Sequence, residues 1–181
     1  MELLAFGCYI SPEIFQVSNI MPKSPKIDKT DRRMIRALQK NGRMTNLDLA
    51  EEVNLSPSPC LRRLRNLEEK HVIRGYSVDV DAAAYGLPVT AFVRVTINGH
   101  TGDIVDQFET QVRNTPEVLE CYLLTGAADY FLRVVVTDLE DYERFVRNRL
   151  QKIGCINSID TSFIYGVVKK TNVFPEFGER A

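Results

Sequence analysis

The spacing of hydrophobic positions along the chain predicts three short helices followed by an alternating strand-and-helix region. Asp28 can cap the first helix, with Asp31 three residues on to favour its N-terminus. Met34, Ile35 and Leu38 form a narrow apolar stripe, and Asn41-Gly42 ends the helix, glycine serving as its C-terminal cap. Thr45-Asn46-Leu47-Asp48 has the form of a capping box, and Leu49, Ala50 and Val53 supply the core face behind it. Ser56-Pro57 opens a third helix, a capping hydroxyl followed by proline at the first helical position. Pro59 is still in the first turn and breaks no helical hydrogen bond. This helix continues to Lys70. Val72-Ile73 and then Tyr76–Val80 predict a strand behind it, a wing or linker strand.

Beyond residue 88 the pattern changes. Val89, Ala91, Val93, Val95 and Ile97 alternate along one face of a half-buried strand. After a loop, Ile104, Val105, Phe108 and Val112 have helical spacing across 103–114. Strands follow at 118–125 and 130–137, joined by the tight turn Gly126-Ala127-Ala128-Asp129. Asp138 caps a helix that turns Leu139, Tyr142, Phe145, Val146 and Leu150 inward; Gly154 ends it, and 156–169 is the last strand. The order βαββαβ is that of a ferredoxin-like α+β sandwich. Its two helices cover one face of the sheet. The other face calls for a cover, most simply a second copy of the domain, because apolar faces of that size are unusual in monomers. The fold itself hosts many functions.

Charge separates the same two regions. Residues 23–76 carry a net charge of +6 and residues 77–181 a net of −5, within a chain of 181 residues whose net charge is −1. A cationic third on an acidic chain points to a polyanionic partner for that third alone. The third helix shows where it would act. At about 100° per residue, Cys60, Leu64 and Leu67 fall in one core stripe, while Ser58, Arg62 and Arg65 fall on the opposite side. Arg63 flanks the core. A ridge with a hydroxyl and two guanidinium groups suits the major groove of double-stranded DNA; the bland alternative is a three-helix scaffold with a solvated charged face.

Other chemistry is excluded or left without support. The cysteines Cys8, Cys60, Cys121 and Cys155 are far apart, and His71 and His100 are the only histidines. Neither a zinc site, which needs about four clustered ligands, nor a disulfide framework is indicated, and nothing calls for a cofactor. Reduced thiols fit a cytoplasmic location. Cys60 reads as a buried apolar residue and His71 as a surface residue at a helix end. No apolar run approaches the ~20 residues of a membrane helix, so no membrane partner is expected. Residues 1–20 contain no Lys or Arg, and Met21 is the expected start of the native chain, with 1–25 a flexible extension.

The motifs resemble a known family. Ile27-Asp28-x-x-Asp31, Asn41-Gly42-Arg43, Leu55-Ser56-Pro57-Ser58-Pro59-Cys60-Leu61-Arg62-Arg63-Leu64, Leu67-Glu68, Val72-Ile73-Arg74-Gly75-Tyr76 and Leu124-Thr125-Gly126-x-x-Asp129-Tyr130 are similar to those of the Lrp/AsnC (feast/famine) transcription regulators, and closer to the leucine-responsive branch. The resemblance spans about residues 26–172. It implies a winged helix-turn-helix domain (26–76), a linker (77–88), a RAM or ACT-like effector-binding domain (89–170) and a C-terminal tail (171–181). It implies dimers that assemble further, into tetramers or octamers, and an amino acid or related metabolite bound between dimers. The DNA-binding residues would be Thr45, Ser56, Ser58, Pro59, Leu61, Arg62, Arg63 and Arg65. Lys23, Lys26, Lys29 and Arg43 are candidates for phosphate contacts. The effector would meet Gly126 and Asp129, and Ser162 and Phe163 of the last strand. Ala127 and Ala128 stand where many relatives carry a polar or aromatic residue, and residues 1–20 have no counterpart in a typical member. For Gly126 and Asp129 ordinary turn chemistry is the alternative. A second reading of the whole, a tetrapyrrole (sirohaem-type) decarboxylase of related layout, lacks a histidine cluster. A third, an effector module without DNA binding, is at odds with the Ser58, Arg62 and Arg65 ridge.

Overall fold

A computed structural model describes residues 26–176. The expected start at Met21, the extension 1–25 and Lys23 lie outside the described residues. The described residues form two compact units, 26–77 with 171–176 and 78–170.

The first unit holds α1 (Lys29–Lys40), α2 (Asn46–Glu52) and α3 (Pro57–Glu69). Reciprocal caps start the first two helices. The Asp28 carboxylate accepts from the Asp31 N–H at 2.8 Å while Asp31 accepts from the Asp28 N–H at 3.1 Å. Thr45 and Asp48 repeat the arrangement on α2. Helix α1 ends without a glycine cap. Asn41 is extended, with its N–H on the Ala37 carbonyl, and its side chain accepts from the Arg43 N–H at 3.1 Å, a local turn that makes a left-handed Gly42 unnecessary. Between α2 and α3, Asn54 takes the left-handed conformation at φ 56°, which asparagine tolerates better than most residues. His71 does the same at φ 53° beyond α3. There the N–H groups of His71 and Val72 reach the carbonyls of Glu68 and Leu67, closing a Schellman turn. The small core is Met34, Ala37, Leu49, Ala50, Val53 and Cys60. Burial pushes the Cys60 thiol pKa up, so the group stays protonated and inert.

One expected element of this region is missing. The strand over Tyr76–Val80 is absent: residues 72–81 pair with no ladder, and a strand without a partner leaves its backbone donors and acceptors to water. In addition, the tail is engaged with the first unit. Gln39 donates to the Asn172 carbonyl at 2.6 Å and accepts from the Phe174 N–H at 3.0 Å, and Arg36 pairs with Glu176 at 3.1 Å.

The second unit begins with a single turn, α4 (Ala82–Tyr85). It then runs β1 (Val89–Ile97), α5 (Gly102–Arg113), β2 (Val118–Leu123), β3 (Tyr130–Val136), α6 (Leu139–Phe145) and β4 (Ile156–Phe163). The sheet order is β2-β3-β1-β4, antiparallel throughout. The face under the helices buries Ala91, Val93, Val95, Leu132, Val134, Phe108 and Phe145. On the other face Phe92 and Phe131 lie 5.0 Å apart, flanked by the Arg94–Asp160 and Arg133–Glu120 ion pairs. The last strand is shorter than expected. Ile164 still donates to the Thr90 carbonyl, but β1 begins at Val89 after Pro88, so the ladder has no further partner. Helix α6 also departs from simple periodicity. Leu139 is exposed rather than inward, because it sits in the first turn and the buried stripe begins at Tyr142. After Phe145 the helix widens into a π turn, Val146–Leu150. On ideal α geometry Leu150 would point about 140° away from Phe145; the wider turn returns it to the core, where it is buried.

Candidate functional site

Helix α3 is fixed from one side and open on the other. Cys60 and Leu67 are buried, and Ser58, Arg62 and Arg65 are all exposed. Their spacing of four and then three residues lines them along about 10 Å of one helix face. Asn46, at the start of α2, donates to the Pro57 carbonyl at 3.0 Å and holds the N-terminus of α3 against α2. Leu61 and Pro59 are half-buried and flank the ridge. Lys26, Lys29 and Arg43 are exposed.

The two hydroxyls at the helix starts are not equivalent. The Thr45 hydroxyl is spent on its helix: it accepts from the Asp48 N–H and donates to the Asp48 carboxylate at 2.7 Å, which with the Thr45 N–H holds that carboxyl below its usual pKa. Ser56 stands at the N-cap of α3 but makes no capping bond. The reason is local. A capping oxygen bonds the N–H of the second or third helical residue; the third here is Pro59, which has none, and the Ser56 hydroxyl makes no bond to the remaining donor, the Ser58 N–H. Thr45→Ala is therefore expected to cost about 1 kcal/mol in urea unfolding, and Ser56→Ala about 0.5 kcal/mol or less. Equal costs would contradict the assignment of the two hydroxyls.

Arg63, expected among the DNA-binding residues, is occupied within the fold. Its guanidinium meets Asp28 at 2.6 Å and Asp31 at 2.8 Å, joining α3 to the cap of α1. The Asp31 N–H above all, helped by Arg63, holds the Asp28 carboxyl below its ordinary pKa against the opposing effect of burial.

In the second unit Gly126 and Asp129 share the β2–β3 turn. Gly126 has φ 126°, a conformation that favours glycine, and open space where a Cβ would stand. Asp129 does more than shape a turn. Its Oδ2 accepts from the Ile97 N–H at 2.8 Å and its Oδ1 pairs with Nε2 of His100 at 2.8 Å. Burial raises the pKa of this carboxyl, but the His100 contact and the Ile97 N–H together bring it below its ordinary value. Ser162 and Phe163 are elsewhere. Ser162 pairs with Phe92 and Phe163 with Ala91 across β1, whereas Asp129 is bonded to Val95 and Ile97. Three to six positions of β1 separate the two places, roughly 10–20 Å. Ser162 and Phe163 also face opposite sides of the sheet. Phe163 meets the Tyr142 ring edge-on at 4.9 Å, whereas Ser162 lies beside Phe92 on the other face, in an open hollow that Phe163 also borders. One chain thus joins Gly126 with Asp129 but not with Ser162 or Phe163. Sequence reasoning passed over His100, since nothing local marks a histidine that meets its partner 29 residues away.

Among the described residues no cluster of three or more His, Cys, Asp or Glu could hold a metal, and no helix is long and apolar enough to cross a membrane.

Comparison with known proteins places this geometry. Residues 27–74 match a winged helix-turn-helix DNA-binding domain, and residues 90–174 match the Lrp/AsnC ligand binding domain. The chain is 41% identical over 138 residues to the Bkd operon transcriptional regulator of Pseudomonas aeruginosa, covering 76% of this chain and 90% of that protein. It belongs to the Lrp/AsnC family. Within it, the leucine-responsive regulatory protein of Escherichia coli K12 is 34% identical over 146 residues, 81% of this chain and 89% of the relative. A transcriptional regulator from Neisseria meningitidis, solved in complex with L-Met, superposes with a TM-score of 0.79 at 39% identity, covering 83% of this chain and 97% of that one. This Lrp/AsnC member is accordingly a DNA-binding transcriptional regulator with an amino-acid ligand-binding domain. The relatives are regulators and not enzymes, which disfavours the decarboxylase reading.

Proposed function

We propose that Ser58, Arg62 and Arg65 read base edges in the major groove of operator DNA, and that an amino-acid effector bound in the second unit alters that binding, in the control of amino-acid metabolism. The observation that carries the first part is the exposed ridge on α3, whose opposite stripe is seated in a core and whose unit has a net positive charge. Thr45, Ser56, Pro59 and Leu61 flank the ridge and contribute backbone-side contacts, with Lys23, Lys26, Lys29 and Arg43 on phosphates. Arg63 serves the DNA indirectly, by holding α3 to α1. The chain works as a homo-oligomer, a dimer or a tetramer or octamer built from it. Successive recognition helices then enter major grooves about 34–36 Å apart. Chromosomal DNA as the partner places the protein in the bacterial cytoplasm.

The effector cleft holds Gly126 and Asp129 from one copy and Ser162 and Phe163 from another. Their separation across β1 within one chain supports a site completed by a second copy. Asp129 takes the ligand's ammonium. The L-Met complex of the Neisseria relative supports an amino acid as ligand.

Arg62→Ala and Arg65→Ala are each expected to weaken operator binding by about 1–3 kcal/mol and to relax specificity at one base position. Gel shifts on operator and scrambled DNA at two salt concentrations measure it. Equal weakening on both DNAs, with a shallower salt dependence, would make that arginine a phosphate contact. Unchanged binding would remove α3 from the interface.

A further inference from the structure

Resting on the reading of Asp129 as the effector's ammonium partner, we propose that His100 is an internal stand-in for that ammonium, which the incoming amino acid displaces.

The two oxygens of Asp129 have partners of different kinds. Oδ2 is bonded to the Ile97 backbone N–H, which cannot leave without opening the end of β1. Oδ1 is bonded to Nε2 of His100, whose side chain is 70% exposed and free to swing into water. Asp129 itself is 17% exposed, and among the described residues His100 is the one side chain that meets it. A ligand cation therefore meets a carboxylate with one oxygen permanently committed and the other exchangeable.

The surroundings keep the carboxylate in place during such an exchange. The Asp129 N–H donates to the Val95 carbonyl at 3.0 Å and its own carbonyl accepts from Leu124 at 2.8 Å. On the other side, the Asn98 N–H is held by the Cys155 carbonyl at 2.8 Å. Gly99 lets the loop pass close to α5, since a Cβ there would stand 3.2 Å from Cδ1 of Ile104. Both backbones are pinned, and the imidazole is the part that moves. An ammonium replaces it one donor for one donor. A ligand without an ammonium cannot, and it leaves the His100–Asp129 pair closed. His100 thus sets a threshold for affinity and sharpens selection for amino acids over their deaminated analogues.

The test is isothermal titration calorimetry on the full-length protein at neutral pH, with L-methionine and with 4-(methylthio)butanoate, the same molecule lacking the ammonium. His100→Ala is expected to bind L-methionine about two- to five-fold more tightly than wild type, the range a single exposed hydrogen bond allows, and to leave the analogue unaffected. His100→Gln restores an N–H donor for Oδ1 and should return the affinity toward wild type. Asp129→Asn keeps the acceptor for the Ile97 N–H, so its thermal melt should be near wild type while its preference for L-methionine over the analogue is lost. No gain with His100→Ala, or an equal gain for both ligands, overturns the proposal. If Asp129→Asn retains the full preference for L-methionine, the reading of Asp129 itself fails and the proposal with it.

Discussion

Phe108→Ala will destabilise the ligand-binding unit by about 3–5 kcal/mol, the usual cost of emptying a large aromatic site in a core. Phe108 is fully buried on the inner face of α5, with its ring centroid 4.4 Å from that of Tyr130 on β3. Tyr130 is equally enclosed, and its hydroxyl reaches Glu109 of the same helix at 3.3 Å. Two buried groups therefore define the seat of α5 on the sheet, and removing one leaves a void that the other, bonded at its far end, cannot fill. Urea unfolding followed by tyrosine fluorescence measures the loss, and a cost below about 1 kcal/mol would show that α5 is not seated as described. The effect is confined to the second unit, since no residue of its core belongs to the three-helix core. Weakened effector binding with intact DNA binding is the expected functional outcome.

Arg63→Ala should cost about 2–3 kcal/mol at neutral pH. Breaking a buried pair costs roughly 3–5 kcal/mol, and the side chain of Arg63 is 36% exposed, which lowers that figure through solvent screening. The loss leaves Asp31, a buried carboxylate, facing Asp28 in the capping box with no cation between them. The pH dependence follows from Asp28. Its folded pKa lies below 3.8, so its contribution to stability is fully present above that value and is lost as pH falls through the lower, folded pKa. The penalty of Arg63→Ala should therefore be largest at neutral pH and shrink in acid. Denaturation curves at pH 7 and pH 3 give the comparison. The same variant, tested where it is still folded, should keep its preference for operator over scrambled DNA. Unchanged stability with collapsed specificity would instead make Arg63 a reader of bases.

What could be seen from the sequence is what short-range chemistry governs. The caps at Asp28 and Thr45 act on a residue three positions away, and the alternation along β1 is a property of consecutive residues, so both are visible without a fold. The exposed ridge on α3 was legible for the same reason: Ser58, Arg62 and Arg65 share a face through helical period alone. Ser56 shows where a local rule weakens locally, because the proline at the third helical position, itself in plain view, removes one of the two N–H groups that a cap can use.

The β2–β3 turn was only half legible. Gly126 and Asp129 mark a turn in any sequence, but the partners that give Asp129 its character, His100 and the Ile97 N–H, come from another strand and another loop. Nor could spacing reveal that Ser162 and Phe163 sit far from Asp129, since that depends on the register of β4 and β3 against β1.

The sequence by itself determined the three N-terminal helices, the βαββαβ order that follows residue 88, and the charged helix face, because hydrophobic period, caps and charge act over a few residues. Only the tertiary structure decided where β4 stops, that residues 72–81 pair with no strand, that Arg63 serves the fold, and that His100 occupies Asp129. Each of those outcomes is set by a partner brought close through folding, and the free energy of such a pair depends on a distance that neither residue encodes alone.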